Sequence, residues 1–273
     1  MSAATLVLAV QLAAAAPETV SAAGQLDNVV RSTVASSSAA TWMGWTVPTD
    51  RARDMGRGTD ERCCGCCALE GEGGAATGGG TGAVRLEPAR EMRVMLRAEA
   101  GVVTDIRTVS VDCRLDPGPA RLIAIEGATP AESVRVLSGF VGRGDEHAAR
   151  RLSDRALAAI AFHADAGVVD VLARCSREGA GPQVRGKALF WLSQRAGEKA
   201  AQAIARAVED DPDLEVKKKA VFALGQLPRD EGVPLLIRVA RSSRDPKVKK
   251  QAFFWLGQSR DPRALAFFEA VLK

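Results

Sequence analysis

The chain has no tyrosine, only two histidines, and aromatics at 4% of its 273 residues. Two histidines leave little from which to build a His-rich metal centre or a nucleophilic relay. No Ser/His/Asp set and no HExxH motif is present. The glycines at 78–80 lack the strand, the lysine and the helix that a phosphate-cradling loop needs. Long apolar runs are missing too. Ala3 to Ala16 carries no charge but is too short to span a bilayer. With aromatics scarce, the 47% of hydrophobic residues is mostly Ala, Val and Leu. That mixture suits helices in close contact.

The Ala3–Ala16 run is followed by small residues and resembles a secretory signal peptide with a cleavage site near Ala13–Ala16. Residues 1–23 are assigned to it, which implies export to the periplasm or cell envelope. No Lys or Arg stands near Met1, so a cytoplasmic protein with an ordinary N-terminal tail is the alternative.

Residues 24–85 read as a Ser/Ala/Thr- and Gly-rich linker that carries a cysteine cluster. Trp42 and Trp45 interrupt it and are expected to dock on the folded part. Cys63, Cys64, Cys66 and Cys67 form two interlocked CxxC pairs. With Cys113 and Cys175 they make six, an even number that suits disulfides in an oxidising compartment. Zinc binding or redox chemistry are the alternatives, although four Cys within five residues wrap one tetrahedral ion poorly.

Residues 86–127 change period. Met92, Val94, Leu96 and Ala98 alternate with polar neighbours, as do Val109, Val111, Cys113 and Leu115. Arg121 to Ile125 gives a third segment. Ala100-Gly101 and Asp116-Pro117-Gly118 supply turns. These features predict a small antiparallel meander. Thr129-Pro130-Ala131-Glu132 then predicts a capping box and a helix start.

The strongest signal spans 128–273. Arg155, Lys187, Lys219 and Gln251 each open an apolar hexapeptide, and successive starts lie 32 residues apart. Val184, Val216 and Val248 recur in the same register. So do Ala156, Ala188, Ala220 and Ala252 in the first helix, and Leu172, Ile204, Leu236 and Phe268 in the second. Each unit reads as a helical hairpin that cannot bury its apolar faces alone, so the units must stack. The expected fold is mainly α: an α-α superhelix preceded by the small β meander.

Asp245-Pro246-Lys247-Val248-Lys249, with Ala252, Leu256 and Gly257, resembles the HEAT-like repeat of the bilin (PBS) lyase type. Gly181-Pro182-Gln183-Val184-Arg185 and Leu214-Glu215-Val216-Lys217 are looser copies. The resemblance implies an armadillo-like solenoid that presents a binding surface. HEAT-repeat enzymes such as deoxyhypusine hydroxylases hold iron through His-Glu pairs. Here Glu146-His147 is reversed and His163 precedes Ala164. The resemblance therefore carries the repeat without that site. The enzyme reading (oxidoreductase or lyase) and a cytoplasmic nucleic-acid binder are the alternatives to a non-catalytic scaffold with a protein partner. No cofactor and no small-molecule substrate are expected.

Gln183 to Lys273 carries a net charge of +7, against −3 for the rest of the chain. A basic surface of this kind attracts an acidic partner. The candidate partner-binding residues are an aromatic ladder of Phe190, Phe222 and Phe254, a basic ladder of Arg185, Lys217 and Lys249, and Arg206 and Arg238 on the second helices with Ile204, Leu236 and Arg241. Two structural readings stand beside these. The phenylalanines can pack between repeats, and the basic ladder can pair with Asp213 and Asp245.

Overall fold

The computed structural model describes residues 17–51, 66–70, 90–111, 114–142, 146–195 and 197–272. The first part is a five-stranded sheet with strand order β1-β7-β2-β4-β5. Its strands are β1 (Glu18–Ser21), β2 (Thr41–Pro48), β4 (Glu91–Glu99), β5 (Val102–Ser110) and β7 (Arg121–Glu126). The strand β3 (Cys66–Ala68) pairs apart from it with β6 (Arg114–Asp116).

This corrects the expected antiparallel meander. β4 and β5 do form a hairpin, turned by Ala100 and Gly101 at positive φ, as a two-residue turn between right-twisted strands requires. β7, however, runs parallel to both β1 and β2. The chain therefore leaves β5 at one edge and crosses β4 and β2 to reach β7. Alternation predicted β4, and the segment read over Val109–Leu115 overlaps β5 only at its end; alternation also carries no information about direction or neighbour.

The linker and the signal-peptide bounds are corrected as well. Residues 24–48 hold helix α1 (Leu26–Ser36) and β2, the central strand. β1 and the buried Ala22 lie within the stretch assigned to the signal peptide. The Ala13–Ala16 site itself lies outside the described residues. β2 was misread because its alternation is hidden: Trp42, Met43, Gly44 and Trp45 are all buried, so both faces are covered. Gly44 is required there. A Cβ would stand 2.2 Å from the Met95 Sδ on the neighbouring strand. Both tryptophans dock, as expected.

Thr129 and Glu132 form the predicted capping box at α2 (Pro130–Ser138). The other Glu132 oxygen accepts the Leu26 N–H at 3.3 Å, so one carboxylate caps both α1 and α2. Thr129 bonding holds that carboxyl below its usual pKa.

The helical hairpins follow. Their first helices are α3 (His147–Ala161), α5 (Pro182–Ser193), α7 (Leu214–Gln226) and α9 (Pro246–Ser259). Their second helices are α4 (Val168–Glu178), α6 (Glu198–Asp210), α8 (Arg229–Ser242) and α10 (Pro262–Leu272). First helices pack on first helices, α3 on α5 on α7 on α9, and α4, α6 and α8 stack likewise. Ala156, Ala188, Ala220 and Ala252 are all fully buried, which is why that position stays small. One continuous apolar core runs from the sheet through the stack.

Candidate functional site

A cleft of about 630 Å3 lies between α6 and α8, lined among others by Gln202, Arg206, Glu209, Pro234, Leu235 and Arg238. Arg206 and Arg238 both point to solvent there, and Arg238 pairs with Glu209 at 3.5 Å. Pro234 sits inside α8 and has no N–H. It deprives the Asp230 carbonyl of its usual i+4 donor and leaves an acceptor beside the cleft.

Four carboxylates line the cleft (Glu198, Glu209, Asp230 and Glu231) against the two arginines. Its local charge is acidic, opposite to the basic surface expected from the C-terminal half as a whole. Ile204 and Leu236, grouped with this surface on sequence, are buried in the core instead. The i+4 spacing that made them conspicuous is the spacing of the packed face. Arg241 is exposed and stacks on the Phe267 ring, 5.5 Å from its centroid.

The aromatic ladder divides. Phe254 is 56% exposed and Phe190 is 38% exposed. Phe222 is half-buried, its ring edge-on to Trp255 at 5.3 Å. The rung in the middle therefore packs between repeats and the other two face solvent.

The basic ladder divides too. Arg185 makes a two-pronged pair with the buried Asp211, at 2.7 and 3.0 Å. Asp211 bonding raises the guanidinium pKa further. Asp213 and Asp245, the expected partners, are instead helix N-caps that accept backbone N–H groups of α7 and α9. Lys217 reaches the Glu209 carbonyl at 2.7 Å. Lys249 is half-buried on α9.

Cys66 and Cys67 lie in β3, with Cys66 opposite Arg114. Cys63, Cys64 and Cys113 lie outside the described residues. Cys175, a disulfide candidate on sequence, is a free thiol of α4 packed against the core, and burial pushes its pKa up. Among the described residues no group of His, Cys, Asp and Glu is arranged to hold a metal ion.

Sequence reasoning missed one polar cluster. The Trp45 Nε1–H donates to Ser133 Oγ at 2.7 Å, and Ser133 Oγ lies 2.7 Å from His163 Nε2. His163 Nδ1 lies 2.8 Å from the Ala159 carbonyl, which can only accept. Nδ1 therefore carries the proton, and Nε2 accepts from the Ser133 hydroxyl. Burial holds the imidazole pKa below its usual value, so it is neutral. Ser133 and His163 are both fully buried with Trp45 closing the chain, so the pair has no face for a substrate. Its effect is mechanical: β2, α2 and the α3–α4 turn are joined through three side chains.

Arg195 strengthens the same joint, donating to the carbonyls of Ala161 and His163 at 2.6 Å each and to Asp50 at 2.8 Å. The only sequence signal for this cluster was a lone His in an apolar stretch, and nothing there named its partners.

Comparison with known proteins agrees with the repeats. A model of HEAT repeats matches residues 200–273. No curated protein matches the chain. Among solved structures, human deoxyhypusine hydroxylase in complex with glycerol is similar at 22% identity, over 52% of this chain and 57% of that chain, with a TM-score of 0.33. The chain thus spans little more than half of that enzyme. A likeness this remote carries no argument about activity.

Proposed function

We propose that this protein is a non-catalytic HEAT-repeat scaffold, an α-α superhelix of the bilin-lyase-like HEAT type, that binds a protein partner in the cell envelope. The observation that carries this reading is the α6–α8 cleft. Stacked repeats create extended surfaces that bind partners. Here the row of second helices holds exposed Arg206 and Arg238, the half-buried Leu235 and a Pro-broken hydrogen-bond ladder. The burial of Ser133 and His163 favours a scaffold over the enzyme alternative, because this Ser/His pair, seen among the described residues, has no face open to a substrate. No described helix is long and apolar enough to cross a membrane.

The test is a photo-crosslinking residue placed at Arg206 or Arg238 in the full chain, in its native cells, combined with fractionation and intact mass. A protein adduct at these positions, on a chain found in the envelope fraction and lacking its Ala3–Ala16 run, is the expected result. A chain with no adduct that releases a metal or chromophore on denaturation would show that the scaffold reading is wrong.

A further inference from the structure

The α6–α8 cleft lies within the stack, since α4 packs on the far side of α6 and α10 on the far side of α8. Two contacts fix how the helices align across it. At one end the Gly197 N–H donates to the Glu231 carboxylate at 3.1 Å. At the other, Arg238 pairs with Glu209 at 3.5 Å. α6 and α8 therefore run parallel, and their first turns share one end of the cleft.

This alignment sorts the lining charges by position. Glu198, Asp230 and Glu231 stand together at the first-turn end. Arg206 and Arg238 each lie eight residues further on, about 12 Å along the helix axis, beside Glu209. Between the two ends the lining is uncharged and includes Ala205, Pro234 and Leu235. Aligned peptide dipoles place about +0.5 charge at each helix N-terminus. Against three carboxylates, the two N-termini leave about −2 at the first-turn end. Two neighbouring cations, Lys199 and Arg263, are already paired with Asp170 and Asp261. At the other end the two arginines exceed Glu209 by a single charge, which the C-terminal dipoles reduce.

We infer that the cleft binds a basic segment of the protein partner, with a lysine or arginine side chain at the Glu198–Asp230–Glu231 end and an apolar side chain against Pro234 and Leu235. Such a partner presupposes the scaffold reading and is the reverse of the acidic one that the net charge of the C-terminal half suggests. Local charge decides, because at physiological salt a charge acts over about 8 Å and the far side of the stack is screened. A nucleic acid or an anionic membrane would set like charge against these carboxylates.

The test places the photo-crosslinking residue p-benzoylphenylalanine at Gln202, midway along the cleft, in the full chain in its native cells. The expected crosslinked peptide belongs to another protein and carries Lys or Arg close to an apolar side chain. In the same background, Glu198→Gln with Asp230→Asn should lower the adduct yield about fivefold and leave the thermal melt unchanged, since both side chains are exposed. Glu198→Lys alone should lower the yield as well. Arg206→Gln with Arg238→Gln should leave it equal or raise it. A yield that survives loss of the carboxylates, or that falls with loss of the arginines instead, would overturn the basic partner and leave the scaffold standing. An adduct with a second copy of this chain would also overturn it. Adducts from positions 206 or 238 with none from 202 would refute occupancy of the cleft but keep the scaffold. Adducts from none of the three would refute both.

Discussion

In the stack, each helix touches the helix 32 residues away. In the sheet, Glu18 pairs with Ile123, and Thr41 pairs with both Ala98 and Arg121. Both regions bury apolar surface, but the stack does so by short-range repetition and the sheet by joining distant segments. Two physical consequences differ. Loop closure is cheap where contacts are local and costly where they are not. A single lost side chain in the stack affects neighbouring layers, whereas one in the sheet can unfasten strands that nothing else joins.

The joint between the regions should be the most sensitive point. Trp45→Ala removes a buried ring and its bond to Ser133, and should cost about 3–5 kcal/mol. Urea unfolding followed by circular dichroism checks this. A single transition before substitution and two after it would show that this ring couples sheet to stack. Unchanged cooperativity would break the comparison.

Among the polar pairs of the stack, Asp211→Ala leaves the partly buried Arg185 guanidinium without its carboxylate and should cost about 2–3 kcal/mol. Replacing both partners with apolar residues of similar volume should recover most of that loss, as measured by the urea midpoint.

The joint should also respond to pH. His163 is neutral when folded and its pKa is depressed by burial, so the unfolded chain binds the extra proton first. Stability from this group is complete above its ordinary pKa of 6.5 and declines as pH falls from there toward the folded value. Urea midpoints measured across that range should fall with acidification, and His163→Gln should flatten the slope. A wild-type slope that survives the substitution would assign the dependence to other groups.

At the small end, Lys217→Ala and Lys249→Ala should each change stability by no more than about 0.5 kcal/mol, because neither fills a buried pair as Arg185 does. A loss as large as that of Asp211→Ala would mean that the basic ladder is structural along its whole length.

The stack was legible because a period of 32 states which residues share a layer, and the recurring Ala states where helices touch. The same period misled at the surface. It grouped Phe222 with Phe190 and Phe254, although only Phe222 is half-buried, edge-on to Trp255 of the next repeat. It also grouped Arg185 with two lysines, although only Arg185 has Asp211 across the turn. Asp213 caps α7, and Asp211, two residues earlier, holds Arg185. In the sheet, alternation marked β4, and the Arg121–Ile125 segment marked β7, but the alternating stretch from Val109 to Leu115 meets β5 only at its end, since β5 runs from Val102 to Ser110. It failed at β2, where both faces are buried and no polar residue marks an outer side.

The sequence by itself determined the helical hairpins, their spacing, the capping box at Thr129 and the β4 and β7 segments, because each depends on residues within about one repeat of each other. Only the tertiary structure decided the parallel pairing of β7, the central place of β2 and the Trp45–Ser133–His163 joint. Each of these depends on which distant segment lies alongside, and that is set by the burial of the whole chain rather than by any local pattern.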